Sequence, residues 1–168
     1  LSRNPELSNE EVRGILVSTT TLMPGQNSWD HIRASGRLNA LNAISNYNNP
    51  SIARIHYPFQ DFTASGGIVH VVISAASPLF VNYSVTYGVG QKPAQWIPLK
   101  ENVGTQALQD TILQWNLSSL PDTSYTLRLA INSNSGRSIE HRLIFFKDSL
   151  PPEITDVAFG TVLDKDNF

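Results

Sequence analysis

Cysteine is absent from the 168 residues. That excludes disulfides and thiolate zinc sites, and it fits a cytosolic protein and a bacterial exported one equally well. Charge is scarce as well: Asp, Glu, Lys and Arg make up 15% of the chain, the formal net charge is -2 and the pI is about 6.1. Such a chain has no basic field to hold a phosphate backbone or an anionic lipid, so neither nucleic acid nor membrane is expected as a partner. Long apolar runs are missing too. The longest, around Val69 to Ile73 and Leu143 to Phe146, are of strand length, which predicts a soluble chain.

What is present is 40% hydrophobic residues, enough for one ordinary core and a smaller appendage. The periodicity changes near residue 48, with helix before it and strands after. Ser8 precedes Glu11 by three residues and opens a stripe of Val12, Ile15, Leu16 and Thr19, a capping box that predicts a helix over about 9–20. A loop with Pro24 and Gly25 leads to Trp29-Asp30. A second short helix is expected to begin near Gly36 and to carry Leu38, Leu41 and Ile44, ending at Tyr47-Asn48-Asn49-Pro50. The Val12, Ile15 and Leu16 face is too small to hold a helix alone, so this segment either docks on the β-rich remainder of the chain or lacks order.

From Ile52 the residues alternate apolar and polar in short runs bounded by turn residues. Seven strands are predicted: Ile52 to Tyr57, Ile68 to Ser74, Phe80 to Tyr87, Ala94 to Ile97, Thr111 to Trp115, Tyr125 to Asn132 and Ser138 to Phe146. Pro93 and Pro98 bracket the fourth and confine it to a sheet edge. Seven strands in about 100 residues predict an immunoglobulin-like or fibronectin-III-like β-sandwich. Gly88 and Gly90 suit positive φ at a turn, Trp96 and Trp115 are bulky enough to plug the sandwich, and Tyr125 is placed to anchor the corner before its strand. Pro151-Pro152-Glu153-Ile154 reads as a linker into a further strand.

The phrase Asn4-Pro5-Glu6-Leu7-Ser8, then Glu11-Val12-Arg13 and Ile15-Leu16, resembles a late helix of the subtilisin-like (subtilase) serine protease family. Trp29-Asp30 followed by Ser35-Gly36-Arg37-Leu38-Asn39-Ala40-Leu41-Asn42-Ala43 resembles that family's closing phrase, with one departure: Ala34 stands where the family usually has glycine. Each phrase alone suits any capped or small-residue helix; together and in order they are far more specific. The later phrases Tyr87-Gly88-Val89-Gly90 with Pro93 and Trp96, and Leu120-Pro121-Asp122 with Tyr125, resemble immunoglobulin-like modules attached to bacterial exported proteases and surface proteins.

The resemblance places the catalytic aspartate, histidine and serine of a subtilase before Leu1, and none of the triad phrases occurs here. His31, His56, His70 and His141 have no partner spacing, and the last three are expected within strands, facing solvent. No His-Glu-x-x-His and no phosphate-binding glycine loop is present. Asp164-Lys165-Asp166-Asn167 begins like a calcium loop but lacks the closing ligands, and reads as a polar turn. No catalytic, cofactor or metal residue is therefore assigned, and no cofactor is expected. Asn82-Tyr83-Ser84 and Asn116-Leu117-Ser118 match glycosylation sequons, which carry no meaning in a bacterial protein.

The fold expected is mainly β: an immunoglobulin-like sandwich over 48–150, preceded by a two-helix remnant of a subtilisin-like α/β domain over 1–47 and followed over 151–168 by a linker and the start of another β module. Leu1 in place of an initiator Met and the ending at Phe168 fit a chain cut from something longer. The implied function is that of a non-catalytic C-terminal portion of a secreted or cell-surface subtilisin-like endopeptidase, monomeric, with the upstream protease domain as its partner. The alternative is a protein- or glycan-binding adhesion module, with Trp96 as its exposed aromatic.

Overall fold

The computed structural model describes residues 4–27, 29–30, 32–48, 50–134 and 138–153. Helix α1 spans Asn9–Ser18 and α2 spans Ala40–Ser45. Eight strands come after them: β1 Ile52–Tyr57, β2 Phe62–Ala64, β3 Ile68–Ala76, β4 Phe80–Val89, β5 Ile97–Val103, β6 Ala107–Asn116, β7 Thr123–Ser133 and β8 Ile139–Lys147. They form two sheets, a three-stranded one ordered β1-β3-β6 and a five-stranded one ordered β2-β8-β7-β4-β5. The chain is mainly β, and its strands make a two-layered sandwich. Every pairing is antiparallel except that of β2 with β8.

Period-two alternation builds the core between the layers. Val69, Val71 and Ile73 of β3 face Tyr125, Leu127, Leu129 and Ile131 of β7, with Leu143 and Phe145 of β8 and Val85 of β4 beside them. Each such side chain contributes roughly 1.5–3 kcal/mol through burial. Trp115 plugs one end, where its ring lies 4.7 Å from Tyr87 and 5.3 Å from Phe145, and Phe145 stacks on Tyr125 at 5.5 Å. The Tyr125 hydroxyl donates to the Pro121 carbonyl at 2.8 Å, anchoring the corner that enters β7. Asp122 ties the same corner to the end of β8, accepting from Lys147 Nζ and from the amide and hydroxyl of Ser149. These bonds hold its carboxyl down at about 2.

The helical segment is docked on the sandwich. At α1 the capping box forms as the sequence predicts, with Ser8 Oγ accepting from the Glu11 amide and the Glu11 carboxylate accepting from the Ser8 amide at 2.8 Å. Ile15 is buried, Val17 packs against the core, and Glu10 pairs with Arg54 of β1. Gly14 lies so close to the Ser51 carbonyl that a methyl group there would overlap it. The helix ends at Ser18 instead of near residue 20, because Thr21 is already drawn into a two-way backbone bridge with Arg37, each amide donating at 2.8 Å.

The second helix begins at Ala40, not near Gly36. Gly36 has φ of 114° and Arg37 belongs to the bridge, so neither can start a helix; Asn39 caps it instead, accepting from the Asn42 amide at 3.0 Å. Ala34 takes φ of 49°, a left-handed angle that glycine would hold without strain.

The strand expected at Ala94 to Ile97 lies at Ile97–Val103, and the count rises from seven to eight because three-residue β2 is too short to leave a periodic trace. Pro93 packs on Gly88, which fills the space a Cβ would need, so the chain must cross over β4 before it can pair. Pro98 is accommodated because β5 is an edge strand bonded only to β4. Gly90 has the expected positive φ, whereas Gly88 is extended within β4 and serves this close approach. The strand start expected near Ile154 and the Asp164 turn lie outside the described residues.

Candidate functional site

Strand alternation places Arg128 of β7 and Arg142 of β8 directly opposite one another, a like-charge pair that would be unfavourable alone. Glu140 resolves it. Its buried carboxylate accepts from Arg128 Nη2 on one oxygen and from Arg142 Nε and Nη2, at 3.0 and 2.7 Å, on the other. Both guanidinium groups then lie over Trp96, at 5.3 and 4.9 Å from its ring centre, and Arg142 lies 3.8 Å from the ring of Trp29. The expectation that Trp96 plugs the sandwich is therefore corrected. Only Trp115 is in the core, while Trp96 is half-buried beneath two arginines and shares Arg142 with a tryptophan of the helical segment.

The seam between the two layers is closed differently. β1 and β8 border it from opposite sheets, and the Ile55 amide of β1 donates to His141 Nδ1 of β8 at 3.3 Å. His141 thus acts as an acceptor and, in its neutral form, carries its proton on Nε2. Burial pushes it down to about 4, helped by the positive charge of Arg13 and Arg54 and by His56. His56 is lowered too, by burial and then by Arg54, against an upward pull from Glu10, and its Nε2 bonds Ser74 Oγ at 2.8 Å. Beside these residues opens a cleft of about 490 Å³ with Ile55, Phe59, Gln60, Arg142 and Leu143 completing its lining.

The four histidines thus separate. His31 lies outside the described residues. His70 is exposed on β3, as expected of a solvent-facing strand residue. His56 and His141 are each half-buried, His56 on the outward side of β1; 85 residues apart, they line one cleft at the seam. A signal for His141 existed in the sequence, since it shares the inward parity of Ile139, Leu143 and Phe145. Among the described residues no group of three or more His, Cys, Asp or Glu could hold a metal ion. Among them, too, no helix is long and apolar enough to cross a membrane. Of the sequons, Asn82 accepts from Asn132 Nδ2 at 2.9 Å and Asn116 accepts from the Ser118 amide at 2.9 Å.

Away from the cleft, the helical segment leaves an apolar face uncovered. Leu38, Leu41 and Ile44 are 60%, 75% and 51% exposed.

No protein-family model matches the chain, and no curated protein does. Among solved structures, the crystal structure of an engineered protein is similar at 12% identity and a TM-score of 0.42, over 58% of this chain and 20% of that one. The matched region thus spans about one-fifth of the length of that protein.

Proposed function

We propose that this chain is a non-catalytic portion of a secreted subtilisin-like serine endopeptidase, in which residues 1–47 complete the protease body and an immunoglobulin-like sandwich stabilises, spaces or presents it. The observation that carries this reading is the exposed apolar stretch that runs from Leu38 into α2. Leu38, just before the helix, and Leu41 and Ile44 on it stand in solvent within seven residues, in a segment whose sequence resembles the closing phrase of that family. Contiguous exposed apolar surface on a folded chain marks a place where another surface packs. The left-handed Ala34 supports the same reading, because the resembled phrase carries glycine there.

The immunoglobulin-like assignment draws support from the strand order. A three-stranded sheet faces a five-stranded one, the short β2 leaves the first edge to pair in parallel with the last strand, and a tyrosine near the start of the penultimate strand bonds back to its corner. Against the aromatic adhesion reading, the Trp96 ring is half-buried and already engaged by two guanidinium groups.

The reading requires a longer polypeptide with its nucleophilic serine before Leu1, within about 40–60 residues on a domain-scale allowance. Fluorophosphonate labelling of that polypeptide, followed by peptide mapping, is expected to place the label on the upstream serine. Label within 4–153, or an unlabelled polypeptide that carries no serine phrase, would overturn the proposal.

A further inference from the structure

We propose that the seam cleft between β1 and β8 binds a carboxylate carried on a short apolar stem, the chemistry shared by a glutamate side chain and a short fatty acid. Its volume, about 490 Å³, falls within the range of small-ligand pockets. Its wall is divided in the way such a ligand requires. Arg54, His56, His141 and Arg142 supply charged or chargeable donors, while Ile55, Phe59 and Leu143 supply an apolar lining.

The charges around the cleft come from four elements and do not cancel. Arg54 and His56 of β1 and His141 and Arg142 of β8 line it, and behind them stand Glu10 and Arg13 of α1, Arg128 of β7 and Glu140 of β8. Glu10 is engaged by Arg54 and Glu140 by both Arg142 and Arg128, so two carboxylates answer four guanidinium groups. The depressed basicity of both histidines has the same origin in part, since the arginines resist a further proton. A bound carboxylate would offset that repulsion, so His141 should become easier to protonate as the ligand binds, and binding should strengthen as pH falls toward 5.

The stem distinguishes this ligand from a bare anion. Inorganic phosphate and acetate could meet the arginines but would leave Ile55, Phe59 and Leu143 uncovered, whereas butyrate would reach both. Arg142 is fixed by Glu140 and the two tryptophans, whereas Arg54, 40% exposed and paired among the described residues with Glu10, is placed to turn toward an incoming carboxylate.

The test is an NMR titration of the His141 ring in the whole chain near pH 6 with butyrate, and in parallel with acetate, inorganic phosphate and chloride. The expected result is a saturable shift with butyrate at a midpoint of about 10 mM or below, an affinity of a few kcal/mol by the standard conversion. The His141 titration midpoint should rise by about one pH unit under saturation. Arg54→Gln should weaken binding about fivefold, and Glu10→Gln, which frees Arg54, should strengthen it about threefold, as expected for one charge contact at a half-exposed site. The second variant keeps the proposal open to refutation even where the first disturbs α1. An unsaturated response up to about 50 mM butyrate, equal to or weaker than that to acetate, phosphate or chloride, would overturn it. So would weaker binding in folded Glu10→Gln.

Discussion

Ala34 holds a φ of 49°, which costs an L-residue about 1–2 kcal/mol, while glycine's extra backbone freedom when unfolded costs about 0.5–1 kcal/mol. The balance predicts that Ala34→Gly stabilises the chain by about 0.5 kcal/mol, read as a higher urea midpoint at unchanged slope. His141 makes a second residue-scale prediction. Its folded value, about 4, lies below the ordinary 6.5, so between those pH values the unfolded chain binds the extra proton. Stability from this group is fully present above pH 6.5 and is lost as pH falls toward 4, by up to about 3 kcal/mol. In His141→Gln, whose amide oxygen can still accept from Ile55, the stability profile should flatten across that window; an unchanged slope in urea unfolding would contradict the assignment. Asp122 acts in a lower window, because its carboxyl is held near 2 and its contribution disappears only below about pH 4. The basicity of His141 was not legible in the sequence, for Arg13, Arg54 and His56 come to it from two other elements.

Elements whose ends are set by local chemistry match their sequence readings, and those set by tertiary contact do not. β1 has the predicted bounds, and α1 starts where Ser8 and Glu11 cap each other. In α2 the decisive events are the Thr21–Arg37 bridge and the positive φ of Gly36, neither visible in helical periodicity. β5 escaped because Lys100, Glu101 and Asn102 break its apolar alternation, as befits an edge exposed to water. Docking of α1 through Ile15 and Val17 brings Gly14 tight against the Ser51 carbonyl, with the Glu10–Arg54 pair beside it. Gly14→Ala would raise intrinsic helix propensity by about 1 kcal/mol, yet the overlap with backbone forces the helix away. The expected outcome is that amides of residues 11–18 exchange at least about tenfold faster in the variant while those of β3 and β7 are unchanged, the pattern of local undocking. Protection equal to or greater than wild type would show that the contact does not position α1.

At the scale of the whole molecule, the two-layer β architecture was legible because β3, β7 and β8 alternate cleanly across a shared core. What joins the layers to the helical segment was not. Trp29 on Arg142, Arg142 on Trp96, and Ile55 on His141 each link residues far apart in sequence, and each supplies one side of a polar contact that only the fold completes. The molecule that results has a helical segment fixed to the sandwich through α1, with exposed apolar side chains from Leu38 to Ile44. The central claim of the proposed function is that Leu38, Leu41 and Ile44 would be covered by a protease body in a longer polypeptide. Hydroxyl-radical footprinting of those three side chains, in this chain alone and in that polypeptide, tests it most directly. The predicted result is high reactivity in the chain alone and at least about fivefold protection in the longer form, the difference between open and packed apolar surface. Equal reactivity in both would contradict it.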